Sequence, residues 1–207
     1  MTTNTISTLP MPADSIAEQK AWLRASVLKQ RAGPHANGAT AAAMAIAGIA
    51  ADLVSRHRPR VVSAYVPMRD EIDCLPALDR IAASGVVTAV PVVVGKARPL
   101  VFRRWRPGEP LQAAAFGVSV PPDSAPEVVP DLLLVPLAAF DRDGYRLGYG
   151  GGFYDRTLEK LRAGGTVFAY GLAYDEQQIE RVPCEPFDQR LDGIVTPSGL
   201  IITVGHS

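Results

Sequence analysis

Residues 131–156 read DLLLVPLAAFDRDGYRLGYGGGFYDR, and this stretch decides the architecture. Leu132 to Val135 is a short, wholly apolar run. Such a run is expected of a central strand buried on both faces of a parallel sheet. A polar loop then leads to Gly148, Gly150, Gly151 and Gly152, and the glycines lead into a helical pattern from Phe153 to Arg162, ended by Gly164-Gly165. Glycines between a strand and a helix permit positive φ, and they let a ligand approach the backbone with no Cβ in the way. Successive N–H groups and the helix N-terminus then offer a place for phosphate oxygens. Arg146 adds a fork of donors suited to phosphate. Asp155, one turn inside the helix, is placed where a carboxylate can hold Mg2+ against those phosphates.

The turn is not a Walker A loop, because no Lys-Ser or Lys-Thr follows the glycines. Nor is it a Rossmann fingerprint. Gly148-Tyr149-Gly150 supplies the first GxG, but Phe153 stands where the last small residue belongs, and the turn comes late in the chain. A flexible connection with no ligand would explain the glycines alone. It does not explain why they are interleaved with Arg146, Tyr149, Tyr154 and Asp155.

Outward from this stretch, strands and helices alternate. Toward the N-terminus, Ser15 with Glu18 fits a capping box for a first helix whose apolar stripe is Ile16, Leu23 and Val27. Lys20 and Arg24, four apart, project from one face of it. Residues 33–38, GPHANG, read as a break, and a second helix capped by Thr40 is expected to reach about Arg56 with Met44, Ile49 and Leu53 inward. Strands are expected at 61–66, 86–94, 100–105, 166–172 and 193–204, with a helix at 75–84 capped by Gly85. This pattern predicts an α/β fold: one domain over 15–207, with a largely parallel central sheet flanked by helices in Rossmann-like layers, behind a frayed tail of residues 1–14.

Composition agrees with a globular α/β chain. The 207 residues are 47% hydrophobic and 20% charged, with Lys+Arg and Asp+Glu both at 21. A zero net charge gives no global pull on nucleic acid or an anionic membrane. Cys74 and Cys184 have no metal-ligand spacing and read as free thiols in a reducing compartment. The N-terminus has no basic and apolar signal regions, and the least charged stretch, Gly38 to Ala51, is too short to span a bilayer. A cytoplasmic protein is expected.

The run RLGYGGGFYDR, preceded by VPLAAFDRDG, resembles the signature of the 5-formyltetrahydrofolate cyclo-ligases, also called methenyltetrahydrofolate synthetases. KAWLR, AYVPMRDEID, FGVSVPP, GLAYDEQ and PFDQRLDGIVT are similar to the family's other segments, in its order. The resemblance implies an enzyme that uses ATP and Mg2+ to close 5-formyltetrahydrofolate into 5,10-methenyltetrahydrofolate. It implies a monomer with two small-molecule substrates, with neither a nucleic-acid nor a membrane partner. On this resemblance Lys20 and Arg24 contact ATP phosphates, and Arg146, Leu147, Gly148, Tyr149, Gly150, Gly151, Gly152, Phe153 and Tyr154 wrap the nucleotide. Arg146 and Tyr154 take the catalytic roles. Val66, Glu71 and Phe116 line the folate pocket with residues 149–153, and Asp155 and Asp192 form the magnesium site. The chain departs from the family pattern at Phe153, where a tyrosine is common, and at Phe187, where a polar residue is frequent.

The remaining features have plain readings. Lys96, Arg98, Arg103, Arg104 and Arg106 accompany Phe102 and Trp105. A guarded strand edge explains this better than single-stranded nucleic acid does, and a contribution to holding the glutamate tail of folate is a third reading. His35, His57 and His206 read as surface residues. By pattern alone, Lys20 and Arg24 would be a solvated helix face, Glu71 a helix-start carboxylate, and Asp188 and Asp192 turn and strand-start residues.

Overall fold

The computed structural model describes residues 15–114 and 117–203. Phe116, His206, the expected tail and the side chain of His35 lie outside the described residues.

Strand β7 (Leu132–Pro136) organises the layers. Leu132 and Leu134 belong to one apolar cluster, and Leu133 and Val135 to another. All four are at most 1% exposed, as the run of apolar residues predicts for a strand covered on both faces. Burying each leucine contributes roughly 2 kcal/mol. On one side β7 pairs in parallel with β1 (Val61–Ser63), and β1 with β2 (Val87–Val92). On the other it pairs in parallel with β10 (Phe168–Leu172), and β10 with β11 (Gly193–Thr196). Antiparallel strands finish both margins: β12 (Gly199–Ile202) beyond β11, and β3 (Val101–Arg104) then β6 (Glu127–Val128) beyond β2. The fold is α/β, with a mostly parallel central sheet flanked by helices.

Helices α1 (Ile16–His57) and α2 (Leu75–Ala83) cover one face, where Ile46, Leu53, Leu78 and Ile81 meet Val62, Leu132 and Leu134. Helix α3 (Phe153–Gly164) covers the other, where Leu158 meets Leu133, Val135, Ala169 and Ile194. The Ser15–Glu18 capping box forms as expected.

Four expectations change along α1. The break expected over residues 33–38 narrows to its last residue: helical geometry runs through 33–37 and is left only at Gly38, at φ −163 and ψ 20, where two helices meet at a kink. One residue is enough to re-aim the chain. The limb before the kink packs Leu23 and Val27 on Ala138, Ala139 and Leu147, and the limb after it packs on the sheet. Ile16 is exposed. Met44 is also exposed, at 61%, because the inward stripe is Ala42, Ile46, Ala50 and Leu53. A residue two positions from Ile46 lies about 200° round the helix. The second limb, Gly38–His57, is longer than the sequence suggested and has the length and apolarity of a membrane span. Its inner face fills the core between sheet and α2.

Two surface expectations also change. Strand β3 is not the sheet edge, because β6 pairs outside it. Phe102 and Trp105 are buried, and Arg103 is tied to Pro121 O and Asp123. His57 is partly buried, stacked on Phe168 at 3.8 Å and hydrogen-bonded to the Tyr170 hydroxyl at 2.7 Å. Cys74 and Cys184 are free thiols, Cys74 fully buried.

Candidate functional site

A cleft of about 660 Å3 opens at the carboxyl ends of β1, β2 and β7, marked by Val66, Val93 and Pro136 on its walls. Sheets of this kind bind ligands at that end, because chain connections diverge there and leave a crevice. The glycine-rich turn forms one wall. It is carried by strand β9 (Arg146–Leu147), which pairs with β8 (Ala139–Phe140) in a hairpin. The hairpin's turn is held by Asp141, 2% exposed, whose Oδ1 accepts from the N–H groups of Asp143 and Tyr145. Its Oδ2 accepts from Val182 N–H at 2.9 Å. Burial pushes the Asp141 carboxyl up, against those three bonds. The sequence offered no signal for this role beyond an acid before a glycine.

The glycines serve different ends. Gly150 (φ +97) and Gly152 (φ +61) sit in the left-handed region that other residues rarely adopt. Gly148 has an ordinary φ, and a Cβ there would meet nothing within 4 Å. Packing therefore does not demand a glycine at this point of the cleft wall.

Arg146, 4% exposed in its side chain, donates from Nη2 to Asp155 Oδ1 at 2.7 Å and from Nη1 to Gln189 O. Gln189 N–H donates to the same Asp155 oxygen at 3.1 Å. Strand β9, the first turn of α3 and the loop before β11 are thereby joined. Across the cleft, α1 presents Lys20 and Arg24. Arg24 Nε donates to Gly148 O at 2.8 Å. Burial lowers the Arg24 pKa, opposed by the Asp188 charge. Lys20 Nζ lies 2.6 Å from Asp188 Oδ2 and 2.9 Å from Glu185 Oε2. Burial alone would lower the Lys20 pKa, but the two carboxylates outweigh it and hold the pKa above the ordinary lysine value.

The sheet side of the cleft is aromatic and apolar. Tyr65, Val66, Glu71 and Tyr154 meet there, with Glu71 Oε2 accepting from Met68 N–H at 2.9 Å. Burial, then Glu71, drives the Tyr154 hydroxyl pKa far above its usual value, opposed by Arg146. Tyr154 is therefore a neutral hydrogen-bond donor at any ordinary pH.

The structure brings Lys20, Arg24, Val66, Glu71 and the whole run Arg146–Asp155 to this one cleft. Asp192 is not among them. Its Oδ2 accepts from Ala169 N–H at 2.7 Å and from Arg162 at 3.1 Å, between β10 and α3. Asp188, which pattern alone read as a turn residue, does close a turn, its N–H donating to Glu185 O at 3.0 Å, and it also lines the cleft, beside the Gln189 amide that binds Asp155. The physical reason is strand geometry. Asp192 immediately precedes β11, so its carboxylate serves the neighbouring strand's N–H, whereas residues 185–189 form the loop that overhangs the site. Sequence reasoning also missed Tyr65, Glu185 and Arg156 on the cleft wall. Lone side chains on loops and strand ends carry no periodic signal.

For a divalent cation the fit rests on Asp155 and Asp188. Mg2+ keeps several waters and needs only one or two carboxylates beside substrate phosphates. Among the described residues, both hydrogen bonds to Asp155 fall on Oδ1, so Oδ2 is spared. Cationic side chains, a glycine turn at a helix start and one spared carboxylate oxygen suit a polyphosphate. An apolar, tyrosine-lined end suits a flat organic ring. No histidine or cysteine is on the wall among the described residues.

Fold and cleft thus define an α/β protein with a ligand-sized cleft at the carboxyl edge of its sheet. Residues 16–197 match the 5-formyltetrahydrofolate cyclo-ligase family. A 5-formyltetrahydrofolate cyclo-ligase of Mycolicibacterium smegmatis is 36% identical over 156 residues, covering 70% of this chain and 77% of that protein. One of Haemophilus influenzae is 30% identical over 183 residues, covering 86% and 97%. The solution structure of Aquifex aeolicus 5,10-methenyltetrahydrofolate synthetase superposes with a TM-score of 0.73 at 26% identity, covering 91% of this chain and 95% of that one. The chain belongs to the 5-formyltetrahydrofolate cyclo-ligase family and is a ligase.

Proposed function

We propose that this chain converts 5-formyltetrahydrofolate and ATP to 5,10-methenyltetrahydrofolate, ADP and phosphate, with Mg2+. The γ-phosphoryl group passes to the formyl oxygen, breaking its bond to ADP. N10 of the folate then attacks the activated formyl carbon. The new C–N bond closes the ring as phosphate departs with the former formyl oxygen, and the N10 proton is lost to solvent. No protein nucleophile is needed, so the enzyme's part is to align two substrates and balance charge, the main catalytic terms in phosphoryl transfer.

One observation carries this reading: Arg24, Arg146 and Asp155 converge on the glycine turn within a single cleft whose other end is apolar. Lys20 and Arg24 bind phosphate oxygens from α1. Gly148 to Gly152 admit the triphosphate to the backbone. Arg146, held against Asp155 and Gln189, opposes charge on the transferred group. Tyr154 donates to the formyl or phosphoryl oxygen, and Val66, Glu71 and the tyrosines orient the folate. Asp155, with Asp188, would hold Mg2+, whose charge when bound neutralises the phosphates. The test is absorbance in the methenyltetrahydrofolate band with 5-formyltetrahydrofolate and Mg2+, with and without ATP. A rise that requires ATP supports the reading. Absence of any ATP-dependent rise from folded protein overturns it.

A further inference from the structure

Phe187 is an anomaly on the cleft wall. The residue is 63% exposed although it lines the cleft. The Lys20 ammonium sits 5.8 Å from its centroid, and its flanks Glu185 and Asp188 both grip that ammonium. The loop is therefore held in place, and the ring it carries, approached by the Lys20 ammonium, stays largely open to solvent. An exposed aromatic held on a rigid loop beside a phosphate-binding lysine is an unused flat surface.

The order of groups along the cleft says what would use it. At one end Tyr65, Glu71, Tyr149 and Tyr154 lie within electrostatic reach of one another. In the middle stand Arg146 and Asp155, joined through Gln189 to the loop bearing Asp188 and Phe187. Along α1, Ala17, Lys20 and Arg24 follow the same line: Lys20 at the Phe187 end, Arg24 on Gly148. The transferred phosphoryl must meet the folate at the junction of the aromatic end and the arginine. The rest of the nucleotide then points away from the folate, toward Lys20 and Phe187.

We infer that Phe187 is the stacking platform for the nucleotide base and sets base preference at this site, an inference resting on the ATP reading above. A phenyl face recognises a base by its π-surface and not by its hydrogen-bonding edge. The wall beside it offers the Ala17 methyl and two carboxylates already engaged by Lys20. The site accordingly favours purine over pyrimidine nucleoside triphosphates by ring area, and separates ATP from GTP only weakly.

The experiment measures methenyltetrahydrofolate formation with ATP, GTP, UTP and CTP for wild type, Phe187→Ala, Phe187→Leu and Phe187→Trp. Wild type should show lower KM for the two purines. Phe187→Ala and Phe187→Leu should raise KM for ATP roughly tenfold, leave KM for folate unchanged and flatten the purine preference. Phe187→Trp should retain it. Purine preference untouched in Phe187→Ala, or a rise confined to the KM for folate, overturns the base assignment while ATP dependence still stands. Wild type that turns over without any nucleotide removes the ATP reading itself, and this inference with it.

Discussion

Lys20 on the first helix and Asp188 on the loop before β11 are 168 positions apart in sequence and 2.6 Å apart in space. Together with Glu185 they close one end of the cleft. The charge that the ATP reading assigns to phosphate is thus held ready by two carboxylates, which keep the ammonium protonated and fix its direction.

Removing that ammonium leaves two carboxylates facing each other in a partly buried place. Lys20→Met is expected to lower stability by about 1–3 kcal/mol and to raise KM for ATP more than for folate. Because the Lys20 pKa is raised by folding, its contribution is complete below the unfolded lysine value and is lost as pH climbs through the higher folded value. Denaturant midpoints from pH 9 upward should show an alkaline loss in wild type that Lys20→Met lacks. Parallel curves would sink this assignment.

Asp155→Asn keeps an oxygen for Arg146 and Gln189 N–H but loses the charge. Because Arg146 is 4% exposed and loses its counter-charge, stability should fall by about 1–3 kcal/mol with the fold kept, while turnover at saturating Mg2+ falls by roughly a hundredfold or more. Near wild-type turnover would show that Asp155 plays no part in holding the metal.

Asp192 and Asp188 separate a structural carboxylate from a cleft one. Asp192→Ala frees Ala169 N–H and Arg162 and should destabilise by about 1–2 kcal/mol, with turnover at 25 °C unchanged. Asp188→Asn should lower turnover and weaken Mg2+ dependence. Thermal melts and Mg2+ titrations of the two variants would reverse this distinction if Asp192 were a ligand after all.

Gly148 and Gly144 separate access from folding. At Gly144 (φ +86) a Cβ would lie 2.7 Å from Leu191 O, so Gly144→Ala should cost about 2–4 kcal/mol in urea unfolding. At Gly148 a Cβ meets nothing within 4 Å. Gly148→Ala should fold like wild type and raise KM for ATP. An unstable Gly148→Ala protein would mean that this glycine serves the fold.

Much of this architecture was legible along the chain, because its determinants are local. Four consecutive apolar residues at 132–135, bounded by Asp131 and Pro136, read as a strand covered on both faces, and the alternation of strand and helix patterns around them points to a parallel sheet. Glycines between strand and helix mark a turn whose backbone a ligand can approach, and the 146–155 run lines the cleft. Capping at Ser15 is likewise a property of four adjacent residues. What tertiary structure alone decided is where distant carboxylates and rings point. Whether Asp188 or Asp192 faces the cleft depends on which neighbouring strand offers an N–H. Whether Met44 or Ile46 faces inward depends on how a kink at Gly38 rotates the second limb. That Lys20 meets Asp188 and Phe187 depends on two chain ends folding over the same sheet edge. Local pattern is written in sequence spacing, but side-chain partnership across the fold is set only when the layers pack.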